Sequence, residues 1–146
     1  MEILEAGLSE IELLAPLFDR YRQFYRQKSD PEGARAFLRE RMERRESIVY
    51  LALLDGSAVG FVQLYPSFSS TSMQRLWILN DLFVAPSARR SGVAKALIER
   101  ARQLAIATGA KGLALSTWVE NTSAQRLYED LGYVRDAEFY SYFLKT

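Results

Sequence analysis

The hydrophobic positions change period several times along the chain, and each change predicts an element. Met1 to Ala6 alternates as a short strand. From Ser9 onward Ile11, Leu14, Leu17, Phe18 and Tyr21 fall at helical spacing. Ser9 and Glu12, three apart, read as a capping box opening this helix, which ends near Gln27. Asp30-Pro31 then supplies an N-cap with proline at the first helical position, and Ala34, Phe37, Leu38, Arg41 and Met42 continue a second helix. Ser47 to Leu54 is rich in apolar and β-branched residues, Asp55-Gly56 is a hairpin turn signal, and Ala58 to Tyr65 is the returning strand. After a loop, PSFSSTSMQ, the segment Arg75 to Val84 predicts a longer strand stopped at Ala85-Pro86.

In the second half, Val93, Leu97, Ile98, Ala101, Leu104 and Ala105 form one helical stripe between Ser91 and Thr108, with Gly109 placed to cap it. Gly112 to Trp118 is another strand. Strand, crossover helix and strand of this length make a right-handed parallel βαβ unit appended to an antiparallel sheet. A short helix, Thr122 to Leu131, closes at Gly132, and the aromatic tail Tyr133 to Leu144 predicts one or two final strands. The expected fold class is α/β, a mostly antiparallel mixed sheet with about four helices, in a single domain spanning residues 1–146.

Composition removes several chemistries. The chain has no cysteine and no histidine. Thiolate nucleophiles, disulfides, Cys- or His-ligated zinc and imidazole acid/base catalysis are therefore unavailable, and proton transfer falls to a carboxylate, a tyrosine or water. Lys and Arg number 19 against 18 Asp and Glu, a balance that lacks the basic excess of a nucleic-acid binder. The opening MEILEAGLSEIELL has no signal-peptide pattern, and no apolar run approaches the length of a membrane span. A cytoplasmic protein without metal, membrane or nucleic-acid partner is the expectation.

Candidate chemistry concentrates at Arg89-Arg90-Ser91-Gly92-Val93-Ala94-Lys95, between a strand end and a helix start. The first amides of a helix have no intrahelical acceptors, and the helix dipole disfavours cations there by about 0.3–1 kcal/mol each. This chain nevertheless places Arg89 and Arg90 before the turn and Lys95 within it, with no acid before Glu99. An anionic ligand resolves that conflict, because its oxygens accept the orphan N–H bonds and meet the guanidinium groups. A solvated Arg pair beside an ordinary helix is the plain alternative. Gly92, lacking Cβ, allows close backbone approach, and small Ala94 keeps the next contact open. The spacing is neither a dinucleotide fingerprint nor a Walker loop.

With these residues in place the sequence resembles the GNAT N-acetyltransferases, whose pyrophosphate loop reads Arg or Gln, two residues, Gly, one residue, Gly or Ala; here Arg89, Gly92 and Ala94. LNDLFVAPSAR resembles the strand and loop preceding that motif, and NTSAQRLYEDLGY (Asn121 to Tyr133) the second signature. FYRQ and LWILNDLFV bring to mind the branch of diamine and fungal histone/polyamine acetyltransferases. The resemblance implies that acetyl-CoA is the cofactor, its pantetheine arm lying along backbone at Leu82, Phe83 and Val84, where an N–H stabilises an oxyanion. It implies Arg89 to Lys95 for the diphosphate, with Asn121 and Ala124 as further cofactor contacts. It also implies Tyr128 as general acid toward the departing thiolate. Taken alone, Tyr128 reads as a packed aromatic, and Leu82, Phe83 and Val84 as core.

The acceptor side is less marked. Where the polyamine branch carries Glu, this chain has Asn80, which cannot accept a proton. A water chain oriented by Asn80 is the first candidate for removing the amine's proton. Asp81 is the second, although strand alternation points it away from Asn80 unless a bulge intervenes. Glu120 is the third. Tyr21, Phe24, Tyr25, Tyr65 and Trp118 are placed by the resemblance around the acceptor, and aromatic faces suit an ammonium. The implied partner is a small polyamine- or amino-acid-like amine, and the implied assembly a homodimer. A protein-lysine or N-terminal acetyltransferase, or a silent acyl-CoA-binding module, is the competing expectation.

Overall fold

The computed structural model describes residues 1–146, which gather into two compact units, Met1–Leu115 and Ser116–Thr146. In the first, strands β1 (Glu2–Glu5), β2 (Ile48–Leu54), β3 (Ser57–Ser69), β4 (Gln74–Val84) and β5 (Leu113–Ala114) form one sheet in sequential order. The first three pairings are antiparallel and β4 runs parallel to β5. The helices are α1 (Ile11–Phe24), α2 (Pro31–Glu43) and α3 (Val93–Ala107). Adjacent residues of β3 show how they divide. Phe61 meets Phe18 and Tyr21 of α1, while a Cβ on Gly60 would meet Val93 and Leu97 of α3 at 3.2 and 3.4 Å and the Phe83 carbonyl at 2.9 Å. Successive strand residues point to opposite faces, so α1 and α3 cover opposite sides of the sheet. Gly60 lets α3 settle closely on it.

The hairpin turn is as expected, Asp55 and Gly56 both at positive φ (50° and 79°) as a type I′ turn requires. The α2 cap is also as expected, Asp30 Oδ1 accepting from the Gly33 amide at 3.0 Å. The start of α1 differs. Glu10, not Ser9 with Glu12, closes the turn by accepting from the Gly7 amide at 2.8 Å, and Glu12 instead pairs with Arg35 of α2 at 2.9 Å. The expected loop at residues 66–74 also shrinks, because β3 and β4 stay paired out to Ser69↔Gln74. Beyond Leu64, β3 has no β2 neighbour, so Pro66 sits on an edge where a missing N–H is tolerated. β5 is far shorter than Gly112 to Trp118, and no strand forms in the tail.

Asp19 organises the α1–α2 connection. It is 6% exposed and accepts from the Asp30 amide and the Ser29 hydroxyl, both at 2.7 Å. The Asp30 amide first, then Ser29, holds its carboxyl below the ordinary carboxylate range. A depressed folded-state pKa stabilises above the unfolded value and ceases to do so as pH falls through the folded one. Asp19→Ala is expected to cost about 2 kcal/mol, as lost charged hydrogen bonds do. Urea unfolding checks this, the variant and parent converging in stability as pH drops below about 4.

In the second unit, α4 (Thr122–Asp130) is capped by Asn121, whose Oδ1 accepts from the Ala124 amide at 3.2 Å. Its far end closes with Gly132 at φ 95° and the Tyr133 amide bonded to the Tyr128 carbonyl at 3.0 Å, the paired bonds of a Schellman end.

Candidate functional site

In the middle of β4 the register slips. Gln63 faces Asp81 while Leu64 faces Leu79, which leaves Asn80 as an extra residue. Such a bulge resets the alternation of side chains. Asn80 and Asp81 therefore share the α1 face of the sheet, and Asn80 Nδ2 donates to Asp81 Oδ1 at 2.9 Å. Gln63 Nε2 donates to Asp81 Oδ2, and the Tyr21 hydroxyl donates to the Asn80 carbonyl at 3.3 Å. Asp81 is 4% exposed and Gln63 is fully buried, yet Gln63 Oε1 has no hydrogen-bond partner. Burial pushes the Asp81 carboxyl above the usual carboxylate range, against the opposing hydrogen bonds from Gln63, Asn80 and Tyr21. A carboxyl so placed holds or releases a proton nearer to neutrality than an exposed one.

Aromatic rings wall this carboxylate. Tyr21 and Tyr25 lie 5.0 Å apart, Phe24 lies 5.3 Å from Tyr25, and Tyr21 meets Phe83 at 6.4 Å between centroids. Burial, then the Asp81 charge, raises the hydroxyls of both Tyr25 and Tyr65, that of Tyr65 to about 12. Five of the expected acceptor-side residues, Tyr21, Tyr25, Tyr65, Asn80 and Asp81, are thus tied to one locus by bonds or field. Phe24 packs on Tyr25.

A second locus lies before α3. Arg90 and Gly92 both take positive φ (63° and 82°), a conformation that costs nothing only at the glycine. Ser91 Oγ donates to the Ala88 carbonyl, and Arg89 Nε donates to the Val84 carbonyl at 3.1 Å, fixing the loop to the end of β4. The Ala96 amide reaches the Gly92 carbonyl at 3.0 Å as the first turn closes. The amides of Val93, Ala94 and Lys95 precede that bond and have no acceptor within the helix. There is no acid in the first turn and no side-chain cap, and a Cβ on Gly92 would meet nothing within 4 Å. Donors, cations and open space together suit a polyphosphate.

Between the loci the sheet opens. β5 pairs with β4 only at Trp77 and Ile78, so from Leu79 to Val84 that edge of β4 carries no strand. Phe83 is buried against Tyr21 and Phe61, as its core reading requires, and the backbone of Leu82 to Val84 lies along that strand-free edge. In the second unit, Tyr128 and Tyr133 pack at 5.6 Å between rings. The Trp118 carbonyl accepts from Gln125 Nε2 at 3.1 Å, and Glu120 is exposed. Asn121 Oδ1 serves as the helix cap. Sequence reasoning missed Gln63, although a lone amide in the apolar strand AVGFVQLY was a legible signal. It also missed Arg45 with Arg41, whose helix-end position gives no signal. No group of three or more acidic side chains is gathered for a metal, and no helix is long and apolar enough to cross a membrane.

Comparison with known proteins places these loci in context. The sequence model of the acetyltransferase (GNAT) family matches residues 14–133. The chain is 49% identical to YhfO of Bacillus subtilis, an uncharacterized N-acetyltransferase, over 146 residues covering 100% of this chain and 98% of that protein. A crystal structure of a probable acetyltransferase superposes with a TM-score of 0.94 at 49% identity, covering 100% of this chain and 98% of the other. An aminoglycoside N-acetyltransferase, AAC(6')-Iy, solved in complex with CoA, has the same fold with a TM-score of 0.83 at 23% identity, covering 99% and 95%.

Proposed function

The chain belongs to the acetyltransferase (GNAT) family and is an acetyltransferase enzyme, and from that premise we propose that it acetylates the primary amine of a small polyamine- or amino-acid-like molecule by direct attack in a ternary complex. The observation that carries the reading is the left-handed Arg90/Gly92 turn, which aims unpaired amides into open space at the start of α3. Arg89, Arg90, Ser91, Gly92, Val93, Ala94 and Lys95 hold the diphosphate of CoA, with Asn121 and Ala124 as further contacts. Leu82 to Val84 offer backbone to its arm. Bound there, acetyl-CoA supplies the acetyl group as a thioester. No cysteine exists to carry the acetyl group covalently, which favours direct attack.

Asp81 takes the proton that the amine must lose, since an amine of pKa about 10.4 is mostly protonated at neutral pH. Asn80 cannot accept that proton; its amide positions the carboxylate. Tyr128 holds at its hydroxyl the proton destined for the leaving thiolate. Residues 1–146 act as one domain in this reading, supported by a family match that runs through both compact units. Phe139, Tyr140, Tyr142, Phe143 and Leu144 are exposed, and an exposed apolar run of this kind supports a homodimer.

Calorimetry with acetyl-CoA, followed by thiol release across polyamines, amino acids and lysine peptides, tests the reading. Gly92→Val is expected to weaken acetyl-CoA binding by about tenfold or more while the protein stays folded, because a β-branched residue resists positive φ and fills the approach. Absence of any heat with the parent protein overturns the cradle. Tight binding without turnover on any amine leaves a silent acyl-CoA-binding module.

A further inference from the structure

The α1 face of the sheet carries a second feature beside Asp81. A cavity of about 500 Å³ is lined by Phe37, Arg41, Arg45 and Glu46 at the end of α2 and by Tyr65 and Pro66 of β3. Phe37 and Arg41, four residues apart, share one stripe of α2, the Arg41 guanidinium lying 4.8 Å from the centre of the Phe37 ring, and Arg45 follows just past the helix end. Arg41 is already paired, to Glu46 at 3.0 Å and to Glu40 at 3.2 Å. Its neighbour Arg45 lines the same cavity and forms no ion pair.

Arg45 also sits in an unusual backbone position. Its φ is 54°, with its amide on the Met42 carbonyl at 3.1 Å and the Glu46 amide on the Arg41 carbonyl at 2.8 Å. That is the helix-ending position normally given to glycine. A long cation there costs backbone strain that a glycine would avoid, and such outliers gather at binding sites.

Tyr65 joins this cavity to the buried carboxylate. It stands two residues beyond Gln63, so the two face the same side of β3, and Gln63 Nε2 donates to Asp81 Oδ2. The Asp81 and Arg41 charges both act on the Tyr65 hydroxyl. The two ends therefore differ in charge, a carboxyl at the β4 bulge and, at the end of α2, the Arg45 guanidinium that no carboxylate offsets. A diamine seated with one end at Asp81 would push its second ammonium toward the Arg45 guanidinium, whereas a molecule with an amine and an anion at opposite ends meets opposite charges at both.

We propose that the acceptor is a zwitterion, its amine at Asp81 and a carboxylate or phosphate held at Arg45 beside Arg41, rather than a polyamine. This rests on the reading of Asp81 as the amine end of the acceptor site. It narrows the substrate class to amines that carry an anionic group.

Three acceptors of equal chain length test it with acetyl-CoA and a free-thiol readout: an ω-amino carboxylic acid, its methyl ester and the corresponding diamine. An aminoalkyl phosphate serves as a fourth arm to separate the two anion sources. The acid or the phosphate is expected to exceed ester and diamine in kcat/KM by about tenfold or more, the worth of one hydrogen-bonded charge. Arg45→Gly, which relieves the left-handed strain and so keeps the fold, is expected to erase that preference through KM, and Arg45→Lys to restore part of it. Binding of the N-acetylated acid against its ester, measured by calorimetry, gives the same comparison without turnover. Equal rates for acid and ester, preference for the diamine, or Arg45→Gly depressing all acceptors alike would overturn the proposal. Transfer without anion preference sinks the zwitterion alone. Arg45-dependent binding of the acid without any transfer keeps the anion site and sinks the transferase reading.

Discussion

Asp81→Asn is expected to lower kcat by about 10²-fold or more, the usual worth of a positioned proton acceptor, while leaving acetyl-CoA affinity intact. The substitution removes the charge and keeps the shape, its oxygen still accepting from the Asn80 amide. Its new NH2 faces Gln63 in place of Oδ2, and a turn of the Gln63 amide presents Oε1, which has no partner in the parent, so the bulge has no reason to collapse. The pH dependence gives a sharper signature. Burial raises the Asp81 pKa, so the parent enzyme gains activity as pH climbs through a range above that of ordinary carboxylates, and that limb vanishes in the variant. Stability moves the other way. A raised folded-state pKa means that ionising Asp81 costs the native state as pH rises through it. The margin between variant and parent should therefore shift toward the variant with increasing pH. A parent-like kcat and an unchanged pH profile in Asp81→Asn would assign the proton to water instead.

The second large effect belongs to Tyr128. Tyr128→Phe is expected to lower kcat by about 10²-fold with binding of acetyl-CoA preserved. The ring contact with Tyr133 at 5.6 Å and the backbone bond that ends α4 do not involve the hydroxyl, and a melting curve checks that the variant is folded. The chemistry offers a control that packing cannot mimic. A thiolate of pKa about 8.5 is helped by a donor of pKa about 10 beside it, and a more acidic leaving thiol needs that help less. Aryl thioesters should therefore narrow the gap between variant and parent. A constant deficit across leaving groups would make Tyr128 a structural residue.

The two effects separate cleanly in a double variant. If Asp81 serves the amine and Tyr128 the thiolate, each acts on a different proton, and the pH limb set by Asp81 persists in Tyr128→Phe at reduced amplitude. Loss of the limb in that variant would mean that the two groups act as one unit.

What the sequence determined by itself was local. Asp30-Pro31 opens α2, Asp55-Gly56 turns the hairpin, Gly132 ends α4, and Gly92 takes positive φ just ahead of α3. In each case the informative contacts lie within a few residues of one another, and backbone sterics or helix-end donors act at that range. The same locality explains the nearest miss, at α1, where Ser9, Glu10 and Glu12 are all competent caps and the three-dimensional position of Arg35 draws Glu12 away.

The tertiary structure decided the rest. Whether Asp81 shares a face with Asn80 depends on a slip between β3 and β4, and register is a property of two strands that neither carries alone. Gln63 became the partner of Asp81 only across that slip. Arg45 and Tyr65 became one cavity only when α2 came down beside β3. The strands expected at Tyr133 to Leu144 do not form, since β-propensity becomes a strand only through pairing between segments, which no single segment carries. The local elements and the turn before α3 were readable because short-range chemistry writes them, whereas the proposed acceptor site depends on long-range pairing that brings together residues remote in the chain.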